Sequence, residues 1–293
     1  FNGFISNIQE NPQIKGIFTV NGSKLDKFLS AIGGTAELPV MFSKPFSANA
    51  KIALDLNKLE VKDLTLQFAK TKGSGSANVT FGSTSDTNVK LSLKKLDLDD
   101  LLKVSPNLLQ TSKTGKLTGT EIANRSDLPP FPSSFKKNSE IFSLQSLPKA
   151  MNASFNIFIE ALTHQNATIR NATLNASLAN REITLSQFSA LLPGNSDVAL
   201  FGFITQRQGG PTFDGTVDLT TNDLRGLLKW KQITIPQVAK DRLRNLKLSG
   251  KIKANKKNVE LSNMKLQLDG TKIRGTSKLA LKARSSLTLG LAI

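Results

Sequence analysis

Residues Leu59 to Phe68 read LEVKDLTLQF, and their apolar side chains change spacing in the middle of the stretch. Leu59 and Val61 are separated by one residue, as on one face of a β-strand. A step of three residues then leads to Leu64, after which the spacing of two resumes at Leu66. One extra residue in an alternating pattern predicts a β-bulge or a tight turn, which re-aims the side chains that follow.

The same change of spacing recurs twice downstream. Residues 183–192 read ITLSQFSALL and residues 259–268 read VELSNMKLQL. Aligned with residues 59–68, both windows place apolar side chains at matching positions, with Phe188 and Met264 directly after the three-residue step. Three matching windows predict an internal repeat, and repeated β units bury their apolar faces against one another.

Most of the remaining chain alternates apolar and polar residues, which indicates strands with one buried face. Turn-forming stretches such as GSGS at residues 73–76 favour hairpins between these strands. Helical spacing occurs only in short pieces that begin near Leu25, Leu98 and Leu224. The sequence therefore predicts a mainly β fold, an extended, twisted antiparallel sheet of repeated β-meander units curled into a groove, with a few short helices.

The repeat and its interruption divide the chain into segments. They are 1–34, the end of a preceding repeat unit; 35–110, a β repeat unit; 111–147, a loop or insert rich in Pro, Ser and Lys; 148–232, a second β repeat unit; and 233–293, the truncated start of a further unit. We expect the chain to be a segment of a longer protein, since it begins with Phe1 rather than Met and ends within an alternating stretch.

The formal net charge is +17, from 39 Lys and Arg against 22 Asp and Glu. Such an excess favours anionic partners, which include nucleic acid, anionic lipid and acidic protein. The lysines are spread singly between apolar residues and cluster at most in pairs, which is typical of the solvated faces of strands. Because the Phe residues occupy the apolar phase rather than an exposed stacking surface, we expect no nucleic-acid partner.

No residue pattern indicates a catalytic or metal site. The chain has no Cys and a single His, His164, which excludes a zinc site of ordinary composition. We interpret the stretch around His164 as a surface turn. Asp97, Asp99 and Asp100 lack the glycine and terminal Glu of a calcium loop, and we interpret them as helix-capping residues. We therefore expect no enzyme activity, no catalytic residue, no metal and no cofactor.

Several stretches together resemble the AsmA-like family of Gram-negative bacteria. The resemblance rests on the hairpin GSGSANVTFG at residues 73–82, on VKLSLKKLDLDDLL at residues 89–102, on ITLSQFSALL at residues 183–192 and on FDGTVDLTTNDLRGLL at residues 213–228. It covers about two thirds of the chain, in the repeated units. The motifs specify shape rather than chemistry, and the insert at 111–147 has no counterpart in the resemblance.

The resemblance implies a periplasmic protein of outer-membrane biogenesis, anchored to the inner membrane through a segment outside this chain. It also implies an apolar β-groove that binds phospholipid acyl chains and helps to move lipid between the inner and outer membranes, with the membranes and further envelope proteins as partners. The residues expected to line this groove are Leu64, Leu66, Phe68, Val79, Phe81, Leu91, Leu93, Phe188, Phe201, Phe203, Leu266 and Leu268. The alternative is a repetitive β scaffold or protein-interaction module with a sealed core and no lipid ligand.

Overall fold

The structure is a computed structural model that describes residues 1–27, 40–102, 144–235, 238–239, 241–281 and 286–292. The strands are β1 (Asn2–Ser6), β2 (Gln13–Gly22), β3 (Phe46–Leu54), β4 (Lys58–Phe68), β5 (Thr71–Thr80), β6 (Ser85–Asp97), β7 (Met151–His164), β8 (Ala167–Ala179), β9 (Glu182–Leu192), β10 (Ser196–Arg207), β11 (Gly210–Thr221), β12 (Leu246–Ala254), β13 (Asn258–Leu268), β14 (Thr271–Ala280) and β15 (Ser286–Ala292). The short helices are α1 (Leu98–Leu102) and α2 (Leu224–Trp230), and two 3-10 turns span Val40–Ser43 and Leu144–Ser146.

The fifteen strands within the described residues belong to one open, twisted sheet, in which their spatial order is their order in the sequence. Every neighbouring pair is antiparallel except β6 and β7. At about 4.8 Å between strands, the sheet runs for roughly 70 Å. The predicted mainly β fold is confirmed. The sheet continues without a break across the predicted unit boundaries at 34/35 and 232/233, and these boundaries stay predictions.

The parallel pairing of β6 with β7 was not predicted. β6 and β7 begin at the same edge of the sheet, with Ser85 beside Met151. Parallel neighbours need a crossover connection of about a dozen residues or more, and here the connection spans residues 98–150. Residues 103–143, which include most of the predicted insert at 111–147, lie outside the described residues.

All three repeated windows contain the predicted irregularity. In β4, Lys62 and Asp63 together oppose a single residue of β5, and Ser262 and Asn263 do the same between β13 and β14. In β9, the register against β10 shifts at the same point of the window. Because two residues occupy one step of the alternation, the apolar residues before and after each bulge stay on one face of the sheet.

The short helices lie at one edge of the sheet, which we call the helix edge; β4, β6, β7, β9 and β11 end there. The predicted helices near Leu98 and Leu224 are confirmed as α1 and α2. Residues 25–27 are helical at the third predicted position, and residues 28–39 lie outside the described part of the chain. Both helices start with an aspartate cap: the Oδ1 atoms of Asp97 and Asp223 each accept a backbone N–H at 3.0 Å.

Candidate functional site

The pairing register assigns the strand residues to two faces, since cross-strand partners point to the same side of a sheet. One residue from each strand forms an unbroken row of partners across all fifteen strands. The row, which we call the apolar row, consists of Ile5, Ile14, Leu54, Leu59, Val79, Thr87, Ala153, Leu178, Ile183, Ile204, Phe213, Ala254, Val259, Leu279 and Leu287. Only Thr87 is polar. We call the face that carries this row the inner face.

The opposite face, which we call the outer face, is polar. The neighbouring row on this side runs from Phe4 to Thr288 and contains mainly Lys, Glu, Asp, Asn, Ser and Thr. In β6–β8, Leu96, Leu162 and Ile169 pack with inner-face residues, so the exposed Lys95 and Arg170 lie on the outer face. With that assignment, no strand residue of the inner face is charged. The sheet is therefore strongly two-sided along its whole described width.

Side-chain exposure indicates that the inner face is concave. From β2 to β14, every large apolar side chain of the inner face is at least half-buried. On the outer face, Ile17, Phe201 and Phe203 are 43%, 46% and 41% exposed. Side chains converge on the concave side of a curved sheet and diverge on its convex side, so this difference is what curvature towards the inner face produces. At the sheet's two ends the inner face is open, with Ile5 55% and Leu287 61% exposed.

Nine of the twelve predicted lining residues lie together on the inner face. They are Leu64, Leu66, Phe68, Val79, Leu91, Leu93, Phe188, Leu266 and Leu268. Phe81 follows the last residue of β5, at the edge opposite the helix edge, where its side chain is 45% exposed. The role of these residues in binding lipid stays a prediction.

Phe201 and Phe203 lie on the outer face, which corrects the prediction that they line the same surface as Phe188. Phe188 pairs with Leu200, and the inner residues of β10 include Leu200, Gly202 and Ile204. Both phases of this strand carry apolar side chains, so alternation alone does not identify the inner one. The two outer phenylalanines contact each other edge to face, with ring centroids 5.8 Å apart.

The inner face also contains residues that the prediction missed. Leu287, Leu289 and Leu291 of β15 face inward and are all exposed. Their spacing of two, LTLGL, was the available signal. Ile5 of β1 was missed as well, because β1 is short and has few alternating residues.

At the helix edge, two elements cover part of the inner face. Phe42 of the first 3-10 turn stacks on Phe68 with ring centroids 5.8 Å apart, next to the buried pair Leu93 and Leu96. Trp230 of α2 packs on a buried cluster of Ile169, Ala172 and Ala190. The ends of the central strands are therefore closed on this side.

The turn predicted around His164 lies at residues 165–166, directly after His164, whereas the His164 side chain is largely buried and connects α1 with α2. His164 is the last residue of β7, and its Nδ1 lies 2.7 Å from Oδ1 of Asp99 in α1. Its backbone carbonyl accepts the indole N–H of Trp230 at 3.2 Å. The acidic cluster also differs from the prediction: Asp97 caps α1, whereas Asp100 forms an ion pair with Lys44 at 2.7 Å.

At the opposite edge, one leucine closes the inner face between β7 and β8. Leu144 is fully buried against Ala153 and Leu178. The Nε–H of Arg181 donates to the carbonyl of Leu147 at 2.6 Å and holds this turn against the β8–β9 hairpin. Among the residues that the structure describes, buried apolar clusters therefore lie at the centre of the sheet and none lies on β1 or β15.

Apart from Asp26, which lies in the helical residues 25–27, the charged groups with resolved pKa shifts lie on the outer face or, as Asp269 does, in a turn. The hydrogen bond from Lys51, with an Nζ to Oδ2 distance of 2.7 Å, lowers the pKa of Asp63. Hydrogen bonds from the backbone N–H groups of Asn245, Arg244 and Leu243 lower the pKa of Asp269. The Lys51–Asp63 pair is mostly exposed, so it contributes little to stability.

Within the described ranges, no group of three or more His, Cys, Asp or Glu side chains is placed to hold a metal ion. The described helices are all too short or too polar to cross a membrane. In comparisons with protein-family models, curated proteins and solved structures, no match to this chain was found.

Proposed function

We propose that this chain binds the acyl chains of phospholipids along its inner face. In this proposal it is a periplasmic, AsmA-like protein of outer-membrane biogenesis that helps to move lipid between the inner and outer membranes. The apolar row is the observation that carries the proposal, since one side chain from each of fifteen strands contributes and only Thr87 is polar. Burial of each methylene of an acyl chain on such a surface contributes about 0.8 kcal/mol.

The uniformity of the inner face favours movement of a bound lipid along the sheet rather than binding at one position. A lipid held by a charged residue would stay at that residue, whereas the inner face has no charged strand residue. The sheet length of roughly 70 Å exceeds the roughly 30 Å thickness of a bilayer's hydrocarbon core. An apolar surface of this length supports a role that extends between membranes, with the membranes and further envelope proteins as partners.

The sealed scaffold is the alternative function, and the covered centre of the sheet favours it. Leu144, Phe42 and Trp230 each fill part of the inner face there. The terminal strands favour the lipid surface instead, since Leu289 and Leu291 remain 52% and 49% exposed on the inner face of β15. The two functions differ in whether lipid occupies the open ends.

Lipid analysis of the purified chain distinguishes them. The chain is extracted without detergent, and bound phospholipid is quantified by mass spectrometry for wild type, Leu289→Glu and Thr288→Glu. The two substitutions are neighbours on β15 and differ in face: Leu289 points inward and Thr288 outward. We expect phospholipid on wild type and Thr288→Glu and a marked loss on Leu289→Glu. No phospholipid on wild type, or equal amounts on both variants, would contradict the proposal.

A further inference from the structure

The outer face carries two shallow depressions of similar volume. We call them the first cradle, of about 390 Å³, and the second cradle, of about 370 Å³. The first cradle, on β2–β5, includes Ser47 and Thr65, and the second cradle, on β11–β14, includes Lys247 and Lys265. These residues occupy equivalent positions of the repeat, beside the bulges of β4 and β13. A twisted sheet is saddle-shaped, so that its outer face can also be concave along one diagonal.

The two cradles share a backbone geometry and differ in charge. The second cradle is lined by four cationic side chains, Lys247, Lys265, Lys272 and Arg274, and by one carboxylate, Asp218. In the first cradle, Lys72 is the sole charged lining residue. Because the same backbone shape forms with neutral side chains, the fold does not require the cations of the second cradle.

The four cations lie close together, and Asp218 is the one carboxylate that lines the cradle with them. Lys265 is directly opposite Arg274, and Gln267 links Lys247 and Lys272 in the next row. At strand spacings of about 4.8 Å, the group fits on a patch of about 10 Å across three strands. None of the four forms an ion pair with another described residue. Like charges that face each other across a strand pair destabilise the sheet, so this arrangement costs stability unless an anion neutralises it.

The same strands show the opposite arrangement nearer the other edge. There Glu260 lies between Lys253 and Lys278, and Asp214 is opposite Lys253. Charges of opposite sign alternate across the strands in that row, as expected where only the stability of the sheet matters. The two rows that hold the four cations of the second cradle are therefore a local departure from this alternation of charge within β12–β14.

We propose that the second cradle is an anion-binding site for a phosphate ester group. Four cations and one carboxylate leave three positive charges in the site, which suits a group with up to two negative charges. Phosphate oxygens accept several charge-assisted hydrogen bonds at once, and the planar Arg274 side chain matches them in bidentate geometry. The site lies on the outer face, so it is independent of lipid binding by the inner face.

Binding to two sources of phosphate ester tests the proposal. Glycerol 3-phosphate, followed by titration calorimetry, is the soluble source. Phosphatidylcholine vesicles with and without phosphatidic acid, followed by co-sedimentation, are the lipid source. The cradle variant combines Lys247→Gln, Lys265→Gln, Lys272→Gln and Arg274→Gln. A control variant loses the same charge elsewhere on the outer face through Lys15→Gln, Lys90→Gln, Lys251→Gln and Lys278→Gln.

We expect wild type and the control variant to bind with similar affinity and the cradle variant to bind at least about tenfold more weakly, because its charge-assisted hydrogen bonds are lost. Binding to glycerol 3-phosphate assigns the site to phosphate esters in general, and binding to vesicles alone assigns it to lipid head groups. Equal weakening of both variants would show unspecific attraction to a basic surface and overturn the site, as would no binding by wild type to either source.

A variant that gains the cations of the second cradle in the first cradle tests the proposal even if the cradle variant fails to fold. We call it the transplant variant. Ser47→Lys, Thr65→Lys and Ser74→Arg place the missing cations around Lys72 in the first cradle. We expect this variant to bind two equivalents of the anion where wild type binds one. An unchanged stoichiometry in a folded transplant variant contradicts the proposal.

Discussion

Asp63 of β4 and Asn263 of β13 occupy the same position of two repeated strands, and both have a left-handed backbone, with φ of 51° and 50°. Asp and Asn adopt this conformation more readily than other residues with a side chain. Each is the second of the two bulge residues that oppose one partner. Gln187 is the equivalent residue of β9, where the register also shifts but the φ of Gln187 is not positive.

Deletion of Asn263 should be tolerated better than deletion of Lys265. Without Asn263, Ser262 alone opposes Thr276, and Met264 stays on the inner face. Deletion of Lys265 shifts the alternation by one residue. Either the apolar residues after Lys265 then point to the outer face, or Asn263 replaces Met264 on the inner face. Circular dichroism melts measure the difference. We expect a cooperative thermal transition when Asn263 is deleted, and a much lower melting temperature or no cooperative transition when Lys265 is deleted. The reverse order of stability would contradict the bulge assignment.

Gly215→Ala should destabilise the sheet. Gly215 lies opposite Gly202 on β10 and β11, and a Cβ at Gly215 would meet the carbonyl of Phe201 and lie 2.8 Å from Cα of Gly202. We expect a loss of about 1–3 kcal/mol in the free energy of unfolding, measured with urea, because the strands cannot separate without losing their pairing. The control is Gly270→Ala, where a Cβ meets no atom within 4 Å. Equal effects of both substitutions would refute the close approach.

Leu144→Ala should weaken the centre of the sheet. Leu144 is fully buried against Ala153 and Leu178. Its truncation should lower the free energy of unfolding by about 2–5 kcal/mol, through lost burial and the cavity left behind. Leu102→Ala is the control, because that side chain is 62% exposed. A change no larger than that of the control would mean that Leu144 does not close the inner face.

Asp269 should contribute to acid sensitivity. Its carboxylate accepts backbone N–H groups from residues 243–245 at 2.8 to 3.0 Å, which lowers its pKa in the folded state. Because the folded pKa lies below the unfolded value of about 4, the carboxylate stabilises the fold above that pH, and this stability is lost as the pH falls through the folded pKa. Asp269→Asn removes the titrating group while its side chain still tolerates a positive φ.

Urea unfolding as a function of pH measures this contribution. We expect Asp269→Asn to be less stable than wild type at neutral pH and to lose less stability on acidification. Asp241→Asn is the control, since Asp241 is mostly exposed and its contact with Arg242 is long, at 3.9 Å. Parallel pH profiles for wild type and Asp269→Asn would count against the role of Asp269.

The bulges and the sheet's two-sidedness could be predicted because they depend on local spacing. Leu64 and Met264 directly follow the extra residue, and no alternative phase keeps the apolar residues together. The phase of Phe201 could not be predicted in this way. Its strand reads ALFGFI, in which both phases are apolar, and the inner one is set by pairing with Phe188 and by the close approach of Gly202 to Gly215.

Contacts between residues far apart in the sequence could not be predicted for a different reason. The parallel pairing of β6 and β7 depends on which edge of the sheet the chain reaches before Met151. The sequence that connects the two strands has no alternating pattern from which this edge could be predicted. The contact of His164 with Asp99 joins residues 65 positions apart. Only the assembled sheet edge brings these two side chains together.

Photocrosslinking from two adjacent positions of β10 tests most directly whether lipid binds the inner face. A benzophenone amino acid replaces either Leu200, which points inward, or Phe201, which points outward, in chains exposed to radiolabelled phospholipid. We expect phospholipid adducts from position 200 and none above background from position 201. Equal adducts from both positions, or adducts from position 201 alone, would contradict the account.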